Sequence, residues 1–165
     1  MTEKNKSQPK YIYDCHSVLN QLRIAVHSAK EMLKQTPENT MDWKPAEGKR
    51  SIREMFVHLS LLCEADLLIS QEAALEHMQE YYKQHQLFYK DEILASFDRT
   101  FECLSIKISA YNEDDWKRET TSYWDVCYPG YEWLLEILGH FYHHRGQLHA
   151  FLTIKGCHIN VSLFQ

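Results

Sequence analysis

Histidine is concentrated in one stretch near the end of the chain. Residues 139–151, GHFYHHRGQLHAF, carry four of the protein's ten histidines, namely His140, His143, His144 and His149. Neutral imidazole binds divalent metal ions, and the ring also transfers protons near neutral pH. His140 and His144 are four residues apart, and such residues share one face of a helix with Cβ atoms about 5–6 Å apart. This spacing allows both rings to bind one cation.

A third histidine, His58, occupies a similar position in an earlier segment. It follows Met55 by three residues and precedes Leu62 by four, which places it on the apolar side of a helix. A buried imidazole needs partners for its ring nitrogens, and one divalent ion would supply a partner for three rings at once. Three protein ligands with an open fourth position are typical of catalytic rather than structural zinc sites. We therefore predict a metal site formed by His58, His140 and His144.

Two other interpretations of these histidines are open at this point. Each could be a packing residue whose ring nitrogens find ordinary hydrogen-bond partners in the core. His140 could also pair with His143, although that pairing leaves the apolar stripe of the helix. The spacing places His143 and Arg145 at the flank of this stripe or outside it.

Other residues give weaker signals of chemistry. Glu54 and Glu136 each precede a proposed ligand by four residues, so that either carboxylate could orient an imidazole or simply be exposed. The sequence contains no HExxH motif, no Glu-x-x-His pair and no phosphate-binding loop. Trp124, Tyr128 and Tyr142 could line an apolar substrate pocket or pack in the core. No residue is identified as a general base.

Four segments with apolar residues at three- and four-residue spacings must position these side chains. They are predicted as helices over residues 9–35, 51–78, 94–111 and 131–155, with a short extended pair within residues 116–129. Ser51 and Glu54 have the spacing of a capping box, and Gly156 stands where a helix commonly ends. Gly146, inside the fourth helix, either permits close helix approach or is merely tolerated. The pattern predicts an all-α four-helix bundle.

Composition limits the possible classes of protein. The 165 residues suit one domain, expected over residues 1–165 with residues 1–8 as a flexible tail. The net charge of −5 argues against a nucleic-acid partner. No apolar run approaches the roughly 18 residues of a membrane span, and residues 1–10 contain no apolar leader segment, so we expect a cytoplasmic location without a membrane partner. Five widely spaced cysteines fit reduced thiols.

Three motifs together resemble the DinB family of damage-inducible bacterial proteins. They are Trp43-Lys44-Pro45, the SIREMFVHL of residues 51–59, and the GHFYHHRGQ of residues 139–147. The similarity spans about residues 11–156. It departs from the family pattern at Arg50, where a tryptophan often precedes the serine.

The resemblance implies an up-down-down-up bundle, often dimeric, with one divalent metal, zinc or nickel in several members, held by three histidines. Carried over to this sequence, the helix-two ligand is His58 and the helix-four pair is His140 and His144. Some members transfer low-molecular-weight thiols such as bacillithiol or mycothiol, and others isomerise maleylpyruvate with a thiol cofactor.

These observations lead to one expected function and one alternative. A divalent metal with an open position lowers the pKa of a bound thiol or water toward about 7, which suits a thiol S-transferase or a hydrolase. The expected partners are a small-molecule substrate or thiol and a second copy of this chain. The alternative is a non-catalytic metal-binding module for interaction or stress response.

Overall fold

Four long helices and several short elements are present in the computed structural model, which describes residues 14–164. In chain order the elements of this range are α1 Cys15–Gln35, α2 Ile52–Ser70, α3 Leu75–Gln84, α4 Lys90–Ser109, α5 Glu113–Lys117, β1 Glu119–Thr121, β2 Cys127–Pro129 and α6 Gly130–Ile154. A single 3-10 turn, Glu38–Thr40, lies between α1 and α2. The predicted all-α class is confirmed, with α1, α2, α4 and α6 as the bundle.

Contacts along the interfaces give the directions of the four bundle helices. Two interfaces are parallel, because residue numbers increase together along both helices: α2 with α4 (Arg53–Phe88, Ser60–Thr100) and α1 with α6 (Gln21–Tyr142, Ser28–Arg145). Two are antiparallel, because the numbers increase on one helix and decrease on the other: α1 with α4 (Lys30–Asp98, Thr36–Lys90) and α2 with α6 (His58–His144, Asp66–His140). The topology is therefore up-down-down-up, as expected.

Apolar side chains from all four bundle helices meet in one core. Leu22 of α1, Phe56 of α2 and Phe141 of α6 are fully inaccessible to solvent, and Phe97 of α4 nearly so. The Phe97 and Phe141 rings pack edge to face, with centroids 6.4 Å apart. Burying such side chains contributes about 1.5–3 kcal/mol each before the entropic cost of ordering them. The three- and four-residue spacings of the sequence therefore mark the buried stripes correctly.

The second helix is shorter than predicted. We expected it to continue to residue 78, but α2 ends at Ser70 and the chain turns before α3 begins at Leu75. Glu72 adopts a φ of +65°, in the left-handed region that a continuing helix does not use. Met78 continues the apolar spacing but is buried in a separate cluster with residues such as Ile69 and Trp133. The apolar spacing therefore continues across the turn between α2 and α3. Because residues 71–74 include neither glycine nor proline, the sequence carried no signal for the end of α2.

The helix ends that carry sequence signals are confirmed. The Ser51 Oγ accepts a hydrogen bond from the Glu54 N–H at 3.1 Å, and the Glu54 carboxylate accepts one from the Ser51 N–H at 2.6 Å. This bond lowers the pKa of Glu54. Gly156, with φ +84°, follows α6 in the left-handed conformation typical of a helix C-terminus. Residues 9–13, predicted as the start of the first helix, lie outside the described residues.

The segment before α6 contains the predicted extended pair. β1 and β2 pair antiparallel, with Thr120 opposite Tyr128. The short helix α5 precedes the pair and was not predicted. Between residues 14 and 164, no helix has both the length and the apolar character needed to cross a bilayer.

Candidate metal centre

Three histidines from two antiparallel helices lie together beside the core. His58 is in the first half of α2, and His140 and His144 lie on either side of the middle of α6, so that the antiparallel packing of the two helices brings them to the same level. One potential ligand atom from each ring lies within 4.8 Å of the other two. The ring centroids are 4.6 Å apart for His58–His144, 4.7 Å for His140–His144 and 5.6 Å for His58–His140. The structure thus brings together the three residues that spacing selected.

His58 contributes a buried nitrogen without a partner. Its Nε2 has no hydrogen bond to any of the described residues, although it is inaccessible to solvent. Burial, together with the nearby charge of Arg50, lowers the pKa of His58 to about 3. The ring is therefore neutral at physiological pH, which is the protonation state that binds metals. An unsatisfied buried nitrogen is costly, and a metal ion would remove that cost.

A buried carboxylate orients His140. The Nδ1 of His140 lies 2.7 Å from Oδ2 of Asp66, which is buried on α2 about two helical turns after His58. Burial alone would disfavour the charged ring, but the hydrogen bond and charge of Asp66 outweigh it and raise the pKa of His140. Burial also raises the pKa of Asp66, which His140 partly offsets. Since Nδ1–H donates to Asp66, the Nε2 lone pair is left for the site, as in many metal-binding histidines.

His144 is oriented by a residue of its own helix. Its Nδ1 lies 2.8 Å from Oε1 of Gln147, one turn further along α6. Burial lowers the pKa of His144 against the opposing effect of this hydrogen bond. Two of the three rings therefore have Nδ1 engaged, so that both can present Nε2 to one cation. The donor set of three neutral imidazoles fits a divalent transition metal.

The residue that orients His140 was not predicted from the sequence, and neither glutamate proposed for such a role has a hydrogen bond to an imidazole among the described residues. Glu54 caps α2 and forms an ion pair with Lys44 at 3.2 Å, so it does not contact His58. Glu136 is exposed, although a carboxylate oxygen lies close to Asp66 and His140. The available signal for Asp66 was an acidic residue inside the apolar run LLCEADLLIS.

Arg145 is buried, which corrects its predicted place outside the apolar stripe. Its Nη1 donates to the Ser28 hydroxyl at 3.1 Å and to the Leu163 carbonyl at 2.9 Å, and the guanidinium lies 4.4 Å from the centroid of the Tyr142 ring. These partners engage Nη1 and one face of a charged group that periodicity alone assigns to solvent, while its buried Nε has no hydrogen-bond partner among the described residues. His143 next to it is exposed and does not belong to the converging set.

Two clefts border the histidine cluster. A cleft of about 630 Å³ borders His58 and is lined by Leu61, Tyr82, Leu87 and Tyr123. A second of about 680 Å³ borders His144 and includes Lys49, Met55, Gln147 and Phe151. Arg50 lines both. Each volume lies within the range of small-molecule sites.

The aromatic residues proposed for the pocket line neither of these clefts. Tyr128 packs against Trp133 with ring centroids 5.1 Å apart, and Tyr142 packs against Arg145. Trp124 is 48% exposed at the hairpin turn. The aromatic lining comes instead from Tyr82 on α3 and Tyr123, both brought close by the turn after α2 and by the hairpin.

Comparisons with known proteins agree with this architecture. The sequence profile of the DinB superfamily matches residues 21–148, whereas comparison with curated proteins gives no match. A solved candidate member of the DinB family from Exiguobacterium sibiricum 255-15 is 28% identical, with 90% of this chain and 96% of that chain covered and a TM-score of 0.81.

Two more distant solved structures share the fold. A DinB-like protein from Bacillus subtilis is 17% identical, with 90% of this chain and 98% of that chain covered and a TM-score of 0.67. A mycothiol-dependent maleylpyruvate isomerase is 16% identical, with 81% of this chain and 60% of that chain covered and a TM-score of 0.60. Because the profile match covers most of the chain and includes all three converging histidines, this protein belongs to the DinB superfamily.

Proposed function

We propose that this protein binds one divalent metal ion through His58, His140 and His144 and uses it in a reaction of a small-molecule thiol or of water. The activity would be that of a thiol S-transferase or a hydrolase, with zinc or nickel as the metal. The observation that supports this most strongly is the buried, unpartnered Nε2 of His58 beside two further imidazoles. Three rings in this arrangement repel one another's protonated forms and gain from a shared cation.

The surrounding residues suit an open metal site rather than a closed structural one. A fourth protein ligand would be a histidine, cysteine or carboxylate. Among the described residues, Asp66 and Glu136 form a second group with His140 and do not join the group of His58, His140 and His144. When bound, a divalent ion with an open position lowers the pKa of a thiol or water there. Asp66 would keep His140 in the Nδ1–H tautomer, and the two clefts would admit reactants to either side of the ion.

A thiol co-substrate is suggested by one structural neighbour, the mycothiol-dependent isomerase, which has the same fold. We propose small molecules rather than nucleic acid as partners, because the net charge of −5 disfavours nucleic acid. We also propose a homodimer as the assembly. A cytoplasmic location would supply both reduced thiols and metal.

Metal content tests the site directly. Purified wild-type protein dialysed against trace metals should retain about one equivalent of zinc or nickel, whereas His58→Ala and His144→Ala should retain almost none. His143→Ala is the matched control, because His143 is the exposed neighbour of His144 on the same helix, and it should retain the metal. Elemental analysis measures all four proteins. Equal metal content in His58→Ala and wild type would contradict the proposal.

Turnover separates an enzyme from a binding module. Metal-loaded protein is incubated with mycothiol, bacillithiol or water as nucleophile and with 1-chloro-2,4-dinitrobenzene or p-nitrophenyl acetate as acceptor. Consumption that disappears in His58→Ala supports the enzyme. Tightly bound metal without turnover of either acceptor would indicate the alternative, a non-catalytic metal-binding module.

A further inference from the structure

Arg50 occupies a distinctive place next to the histidine cluster. It immediately precedes Ser51, the residue that caps α2, and its side chain is exposed. It lines both the cleft that borders His58 and the cleft that borders His144. A positive charge therefore lies beside the histidine cluster without belonging to the converging set.

The other arginine of the aromatic cleft already has partners. Arg53 donates to Asp42 at 3.0 Å, to Glu38 at 2.9 Å and to the Phe88 carbonyl at 2.6 Å. Across residues 14–164, by contrast, the Arg50 guanidinium has neither a hydrogen bond nor an ion pair. All five of its N–H donors are thus available to a ligand.

The walls of this cleft suit the body of an organic molecule. Tyr82 and Tyr123 are 39% and 42% exposed, so that large parts of both rings are accessible although they stand beside a cavity. Leu61 and Leu87 add aliphatic surface. Apolar and aromatic walls with a few polar groups at one end are typical of small-molecule sites. Besides the histidines and Arg53, the polar groups of this lining are the Arg50 guanidinium, the Gln86 amide and the Glu54 carboxylate, which is held by the Ser51 N–H and by Lys44.

We propose that Arg50 binds the carboxylate of a small organic acid whose apolar or planar body lies between Tyr82, Leu87 and Tyr123. A guanidinium forms two parallel hydrogen bonds with a carboxylate. One unpaired guanidinium matches a singly charged carboxylate better than a phosphate dianion, which usually gathers several donors. This inference rests on the proposed function in one respect, because the acid would be the substrate placed beside the metal.

Binding of a matched pair of probes tests this assignment. The probes are 3-phenylpropanoate and its uncharged analogue 3-phenylpropanamide, titrated into metal-free and zinc-loaded full-length protein and followed by NMR shifts. Wild-type protein should bind the acid about ten-fold more tightly than the amide, and Arg50→Gln should remove this preference. Lys49→Gln changes the neighbouring cation of the second cleft and should preserve it. Tyr123→Ala should weaken the acid and the amide equally.

The outcomes distinguish this inference from the metal proposal. Arg50→Gln should keep the wild-type metal content, since Arg50 is not a ligand. If dialysed wild-type protein retains no metal and still prefers the acid, and Arg50→Gln removes this preference, the acid site is supported and the metal proposal is refuted. A preference that survives in Arg50→Gln and requires zinc would show that the metal itself binds the carboxylate, which overturns the role of Arg50. Equal affinity of the two probes, or binding of neither, also overturns it.

Discussion

Among contacts between single residues, the Asp66–His140 hydrogen bond matters most for the chemistry of the candidate site. Asp66 is almost fully buried, and its hydrogen bond to the Nδ1 of His140 is its means of satisfying a charge inside the protein. The same bond decides which imidazole nitrogen carries the proton. In the proposed function Asp66 would therefore act as a positioning residue through His140.

Replacing Asp66 should weaken metal binding without removing a ligand. Asp66→Ala is expected to lower zinc affinity about 10–100-fold, because His140 loses its fixed tautomer and orientation. Asp66→Asn should lie between this variant and wild type, since an amide oxygen can still accept the Nδ1–H bond. Competition with a chromophoric chelator measures the affinities. Glu132→Gln, which changes an exposed carboxylate of α6 outside both groups of converging residues, serves as the control and should bind zinc as wild type does. Unchanged affinity in Asp66→Ala would show that His140 needs no orientation.

At the same scale, the converging histidines could be predicted and their hydrogen-bond partners could not. His58, His140 and His144 are recognisable because two lie four residues apart and all three interrupt apolar stripes. Asp66 belongs to a different helix from His140, and only the antiparallel packing of α2 on α6 brings them together. The residues four positions before His58 and His140 on their own helices are Glu54 and Glu136, and spacing therefore indicated these two instead.

At the level of elements, glycines in and before helices have different roles that spacing does not distinguish. Gly146 lies within α6, and a Cβ added there would meet no atom within 4 Å. The close helix approach considered for this residue is therefore wrong, and the glycine is merely tolerated. Gly130 begins α6, where an added Cβ would lie 2.6 Å from the backbone oxygen of Asp115. Only the second glycine is required by packing, since a backbone atom of α5 occupies the space.

Alanine substitutions at these two glycines should have opposite effects on stability. Gly146→Ala is expected to raise the free energy of unfolding by about 0.5–1 kcal/mol, because alanine restricts the unfolded chain and favours helix. Gly130→Ala should lower it, because α5 or the start of α6 must move to relieve the contact. Urea unfolding followed by circular dichroism compares both with wild type. A stabilising Gly130→Ala would mean that the two helices separate freely at this point.

At the level of the whole molecule, the histidine site links two antiparallel helices that are adjacent only in the folded protein. His58 and the pair on α6 are 82 residues or more apart in sequence (140 − 58 = 82), so the unfolded chain does not preform the site. The core of the bundle consists of apolar side chains independent of the histidines. We therefore expect the metal-free protein to fold, and metal to stabilise the folded state by mass action.

Metal should consequently raise the thermal midpoint of unfolding. At a free zinc concentration 100 times Kd the stabilisation is about 2.7 kcal/mol, and for a domain of this size that corresponds to a shift of about 5–10 °C. Differential scanning calorimetry with and without zinc, followed by chelator, measures the shift and its reversal. His143→Ala should show the wild-type shift and His58→Ala none. An equal shift in both variants would place the stabilising metal elsewhere.

The fold class, the start of α2, the end of α6 and the placement of each histidine on an apolar helix face could be predicted from the sequence, because each of these depends on residues close together along the chain. Apolar spacing specifies a helix face, and the capping residues Ser51 and Glu54 satisfy their own backbone. The end of α2, the burial of Arg145, the partnership of Asp66 with His140 and the lining of the clefts were decided by tertiary structure. Each of these depends on a group from a distant segment, and its position becomes defined only when the helices pack.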